Sequence, residues 1–128
     1  MGIVLGDDIL VGWIFGALSA LPITAQVALT LGAPLGDLTL GGKYPGRLPG
    51  RIRAVAAVQA LLLSAIALVV LDRAGAVSIG LSAVFFWVAC AITALSTVLN
   101  LITPSRRERI IWTPILSGML LCLGFLIW

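Results

Sequence analysis

Charge is what this sequence has least of. Of its 128 residues 10% are charged, against roughly 25% in an ordinary soluble domain, and 61% are hydrophobic. Residues 9–36, 54–71, 74–105 and 110–128 carry no charge at all, and together they make up about three quarters of the chain. A water-soluble fold of this size could not cover its surface with the remainder. That excludes a soluble enzyme, a disordered tail and a free nucleic-acid-binding domain, so no nucleic-acid partner is expected. Histidine is absent, which excludes a histidine-ligated haem, a histidine metal site and a histidine-based triad. The five carboxylates all fall at or outside the edges of the charge-free stretches, so the intramembrane carboxylate of many pumps is missing. There is no thiol pair at redox spacing, no nucleophile elbow and no phosphate-binding lysine loop of the usual form. Neither a cofactor nor a metal is expected, and enzyme is the poorest functional class.

What remains reads as an all-α integral membrane bundle of four transmembrane helices in a single domain, residues 1–128. A bilayer core of ~30 Å needs about 20 helical residues. The apolar runs supply spans at about 9–31, 52–71, 77–102 and 110–128. The second and fourth are barely long enough, whereas the third has length to spare and can tilt. The runs are continuous, without the alternation a transmembrane barrel needs. Glycine and proline gather between spans, chiefly in a loop at 32–51.

The short loops are strongly asymmetric in basic residues. Lys43, Arg47, Arg51 and Arg53 follow the first span, and Arg106, Arg107 and Arg109 follow the third. These two loops hold seven of the eight basic residues. The opposite side has Arg73 with Asp7, Asp8 and Asp72. The expectation is that both basic loops are cytoplasmic and both termini outside, in a bacterial inner membrane. The acidic start has no basic leader, and the first apolar run is too long for a signal core, so it is read as a retained span.

Within lipid, small and polar residues must join helices. Gly12, Gly16 and Ala20 form a strip at four-residue spacing on the first span. Ala56, Ala60 and Ser64 do so on the second, and Pro114, Gly118 and Cys122 on the fourth. Such strips serve packing within one monomer or, alternatively, a homo-oligomer face. Cys90 and Cys122 fall inside spans and read as packing residues. Trp112 and Trp128 are placed at the inner and outer interfaces, and Trp13 about one turn into its span. Trp87 falls near the middle of the third span, where its indole needs an acceptor, a carbonyl freed by Pro22 being one candidate.

Uncharged polar residues lean toward the basic side. Thr24, Gln26, Gln59, Thr97 and Asn100 suggest a polar pocket open to the cytoplasm, because buried amides are costly unless satisfied. Simple hydrogen bonding between helices is the competing explanation. In the loop, Pro45-Gly46 and Pro49-Gly50 turns are each followed by arginine. They should form a hairpin or re-entrant cap holding Lys43, Arg47, Arg51 and Arg53 near headgroups, where each basic residue attracts anionic lipid by ~1 kcal/mol. A loop of this length is more often functional than idle.

The pattern Ala33-Pro34-x-Gly36, then Gly41-Gly42, then Pro45-Gly46-x-Leu48-Pro49-x-x-x-Arg53, resembles that of small four-span bacterial membrane proteins of uncharacterised function. The resemblance covers one loop and the four-span plan, and it implies no activity. Small multidrug exporters are similar in size and span count only, since they use a carboxylate in the first span and residues 9–31 have none.

Two functions fit these residues. One is a non-enzymatic membrane protein binding membrane lipids, another amphiphile or a partner helix from the cytoplasmic side, with Lys43, Arg47, Arg51 and Arg53 meeting an acidic head and Gln26, Gln59 and Asn100 bonding it within the bundle. The other is an oligomeric small-solute channel or transporter assembled through Gly12 and Gly16. Membership of a larger membrane complex fits the small size equally well.

Overall fold

The computed structural model describes residues 6–127. Trp128, expected at the outer interface, and residues 1–5 of the acidic start lie outside the described residues. Four helices cover most of the rest: α1 (Gly6–Thr30), α2 (Gly50–Ala74), α3 (Ala83–Ile102) and α4 (Arg106–Ile127). Each is long and apolar enough to cross a membrane. At ~1.5 Å per residue, the 20 residues of α3 match a hydrocarbon core of ~30 Å. The protein is a small polytopic membrane protein built as a four-helix bundle.

The helices run up and down in ring order. α1 packs most extensively against α2, then α4; α3 packs against α4 and least extensively against α2. Residues 31–49 and 103–105 connect helices at the end that holds seven of the eight basic side chains, here termed the basic end. Residues 75–82 close the far end.

Large apolar side chains such as Leu10, Leu61, Leu95 and Leu121 cover the outside of all four helices and are more than half exposed. A lipid tail solvates them as well as a neighbouring helix would, so close packing rather than apolar burial must hold the helices together. The small residues supply it. A Cβ built on Gly12 would lie 2.5 Å from Cβ of Ala74, and one on Gly118 would lie 3.1 Å from Cδ1 of Leu18. Gly16 faces Leu71. The strip therefore joins α1 to α2 within the chain. Ala20 is exposed, and the buried line runs instead through Phe15 and Ser19. At the far end Phe15, Val70, Phe86, Met119 and Leu126 fill the bundle axis, each at most 1% exposed. Cys90 and Cys122 are both free thiols at this core.

The third helix departs from the expected span. It begins at Ala83 rather than 77. The physical cause is Asp72, at the end of α2, whose carboxylate accepts backbone N–H bonds from Ile79 (2.8 Å), Gly80 (2.9 Å) and Leu81 (2.9 Å). These bonds hold the connection extended, Gly80 takes a left-handed φ of 82°, and Ser82 then caps the new helix by accepting from Val84 N (3.3 Å). The spare length expected to permit tilt is not helical. Trp87 consequently sits one turn into α3, not at mid-span. It is half exposed and meets Phe86 edge to face at 5.8 Å, so it faces outward instead of seeking a carbonyl near Pro22.

The close approach at Gly12 generates a test. Gly12→Val should lower stability in detergent by about 1–3 kcal/mol through overpacking against Ala74, measured as a shift in thermal or denaturant unfolding. Ala20→Val, on the exposed edge, should stay within about 0.5 kcal/mol. Equal effects would place the α1–α2 contact elsewhere.

Candidate ligand cavity at the basic end

Of the neighbouring helices in the ring, α2 and α3 touch least, and the short far-end connection links them. Toward the basic end a cavity of about 550 Å³ opens within the bundle. Its walls are apolar: Leu62, Leu63 and Ile66 from α2, Ile92 and Leu99 from α3, Trp112 and Leu116 from α4. Gln26 of α1, Gln59 of α2, and Ser96 and Asn100 of α3 place polar groups among them. On the α2–α3 side the lining residues Leu62, Leu99 and Ile102 are 44%, 52% and 71% exposed. This side of the cavity therefore borders the surface that the spans present to lipid.

The connection between α1 and α2 roofs the cavity. Its fold follows from glycine. Gly36 N donates to the Gly46 carbonyl (2.8 Å), and a Cβ at Gly36 would fall 1.8 Å from the Tyr44 carbonyl oxygen, so no other residue fits. Leu48 is buried beneath it with Leu29 and Ala56, forming a small second core. Next come three consecutive left-handed residues, Leu40, Gly41 and Gly42, with φ of 51°, 68° and 76°. Leu40 is the only non-glycine residue with positive φ among the described residues, at a cost of roughly 1–2 kcal/mol.

Contacts with the start of α4 hold this turn in place. The Leu38 carbonyl accepts from Nε1 of Trp112 (2.7 Å), and the Asp37 carbonyl accepts from the Ser105 hydroxyl (2.8 Å). Asp37 also pairs with Arg107. Gly41 N donates to Oε2 of Glu108 at 3.0 Å. Ser105 and Glu108 have the spacing of a capping box, and the Ser105 hydroxyl does accept from Glu108 N (3.3 Å). The Glu108 carboxylate, however, reaches across to the roof instead of back to its own helix. Thr103 supplies it a further side-chain hydrogen bond.

The amides inside are incompletely satisfied. Asn100 Nδ2 donates to the Ser96 carbonyl (2.8 Å), which fixes the amide's orientation and leaves Oδ1 as the free end. That Oδ1 and the Oε1 of Gln26 are buried with no hydrogen-bond partner. Leaving such an acceptor unsatisfied costs roughly 1–3 kcal/mol.

Gln26, Gln59 and Asn100 thus share one cavity, as their polarity suggested, but Thr24 and Thr97 do not line it. Thr24 is exposed, with its hydroxyl bonded to the Ala20 carbonyl (2.6 Å). Thr97 is buried on another face of α3 and bonds the Thr93 carbonyl (2.8 Å). The four basic residues proposed to meet a ligand head are dispersed outside the cavity. Lys43 lies over the Tyr44 ring (5.5 Å), Arg47 rests against Gly32, and Arg51 is exposed. Arg53 donates from Nε to the Thr30 carbonyl (3.0 Å), closing the end of α1.

Glu108, Trp112 and the roof residues Leu38, Thr39 and Leu40 also line the cavity, although the sequence pattern does not single them out as site residues. Glu108 does stand at a span edge, but it is only 8% exposed and turns inward. Residues 108, 112 and 116 are spaced to share one helical face, and that stripe with the capping-box spacing was the available signal. Comparison with protein-family models, with curated proteins and with solved structures gave no match to this chain.

Gly36→Ala should open the roof. Limited trypsin digestion in detergent should cut faster after Lys43 or Arg47, whereas Gly50→Ala, where a Cβ meets nothing within 4 Å, should leave the rate unchanged. An unaltered rate in Gly36→Ala would contradict the roof's packing.

Proposed function

We propose that this membrane protein binds an amphiphile in the cavity between α2 and α3 and acts without catalysing a reaction on it. The carrying observation is an apolar cavity beside the lipid surface in which buried amide acceptors have no partner. Its volume falls within the ~300–1,000 Å³ range of small-molecule sites, and it is too confined for a partner helix. The apolar walls suit an acyl chain entering between α2 and α3, and Gln26, Gln59 and Asn100 suit its polar end.

Positive-inside bias supports a placement with the roof in the cytoplasm and both termini outside, in a bacterial inner membrane. In that placement Lys43, Arg47 and Arg51 meet anionic headgroups of the surrounding leaflet and hold the roof at the surface, at ~1 kcal/mol each. Their role is anchorage; the ligand head meets the amides. The filled far half, from Phe15 and Phe86 to Leu126, favours a one-sided binding site over a channel.

Two variants test this reading by native mass spectrometry and by titration of an environment-sensitive dodecyl probe in maltoside micelles. Ser96→Phe, which fills the cavity, should weaken probe binding at least tenfold and remove any co-purified amphiphile. Leu61→Phe, on the exposed face of α2, should change neither. Asn100→Leu should weaken binding yet leave the protein as stable as before or more so, because it removes an unsatisfied acceptor. Equal binding by Ser96→Phe and the parent protein would overturn the reading.

A further inference from the structure

The cavity's polar groups are unbalanced in a way that specifies the ligand's head. Three of its donors are committed: Trp112 Nε1 to the Leu38 carbonyl, Asn100 Nδ2 to the Ser96 carbonyl, and Gly41 N to Glu108. Its acceptors are not. Asn100 Oδ1 and Gln26 Oε1 are buried without partners. Glu108, a residue 8% exposed, lines the same cavity and brings a carboxylate to it. It receives hydrogen bonds from Gly41 N and Thr103 but no cation. Arg107 is engaged with Asp37 and Arg109 with the Thr103 carbonyl, and Arg106 is exposed. Against these acceptors stand the amide nitrogens of Gln26 and Gln59, which are neutral and offset no charge.

We infer that the cavity selects an amphiphile whose head is a protonated amine, hydrogen-bonded by Asn100 Oδ1 and Gln26 Oε1 and charge-paired with Glu108. An ammonium head carries up to three donors and one positive charge, the complement of two orphan oxygens and an uncompensated carboxylate. An acidic head would place like charge beside Glu108 and offer acceptors to acceptors. The inference rests on the amphiphile-binding reading and adds the sign of the head. The ammonium belongs either to an aminophospholipid of the bilayer or to a free hydrophobic amine, and both present the same group to the cavity.

The test is competition against the neutral dodecyl probe in maltoside micelles, using dodecylammonium and dodecanoate. The expected result is at least tenfold tighter competition by dodecylammonium in the parent protein. In Glu108→Gln the ratio should fall to about one, and in Asn100→Leu it should fall several-fold; circular dichroism and monomer elution check that each variant is folded. Leu61→Phe should keep the full ratio. If Glu108→Gln does not fold, the ratio in Asn100→Leu still decides. Equal competition by the two amphiphiles, or tighter competition by dodecanoate, overturns the inference, while loss of the probe in Ser96→Phe would still uphold the cavity itself. Failure of Ser96→Phe to weaken the probe overturns both. Native mass spectrometry separates the sources: a retained aminophospholipid assigns the ammonium to the bilayer, and an empty protein that prefers dodecylammonium assigns it to a free amine.

Discussion

The basic end of the bundle is organised around the hydrogen bond from the Gly41 backbone N–H to the Glu108 carboxylate. To present that N–H, the chain winds through three left-handed residues, one of them Leu40. The roughly 1–2 kcal/mol that Leu40 costs is offset by a bond to a charged acceptor, worth about 1.5–3 kcal/mol. The bond joins the α1–α2 connection to the first turn of α4, and the Leu38–Trp112 and Asp37–Ser105 bonds extend the same seam. Without it the roof would have no hold on Glu108, and the carboxylate would have no backbone donor.

This arrangement separates two tasks that a membrane protein with few charges must perform. Cohesion comes from close backbone approach, at Gly12 against Ala74 and at Gly118 beneath Leu18. That leaves the polar side chains free for other uses. The far half is filled by Phe15, Phe86 and Met119, and the near half is left open between α2 and α3. Unsatisfied amide oxygens in the open half reduce stability, and a ligand that donates to them would recover it. Binding of such a ligand would therefore be linked to stability through Gln26 and Asn100.

Much of this was legible in the residues. Charge-free runs gave four helices, because nothing else of that composition crosses a bilayer with its backbone satisfied. The costliness of buried amides brought Gln26, Gln59 and Asn100 together. Other features were set by tertiary geometry that periodicity does not encode. Asp72 ends α2 and delays α3 through three backbone bonds whose donors lie seven to nine residues away. Thr24 and Thr97 satisfy themselves on their own helices, as threonine can within one turn, and so are released from the cavity. Glu108 read as an edge charge because its partner, Gly41, is distant in sequence. Charge alone marks the arginines of the first loop, whereas the placement of Arg53 against the Thr30 carbonyl and of Arg47 beside Gly32 is a matter of tertiary geometry.

Occupation of the space between α2 and α3 by an amphiphile, as proposed above, can be mapped residue by residue. A photoreactive dodecylamine, cross-linked in liposomes and mapped by peptide mass spectrometry, tests it most directly. Adducts should concentrate on Leu62, Leu99 and Ile102 and be competed away by unlabelled dodecylammonium. Adducts spread evenly over the outward residues Leu61, Leu95 and Leu121, with no competition, would contradict it.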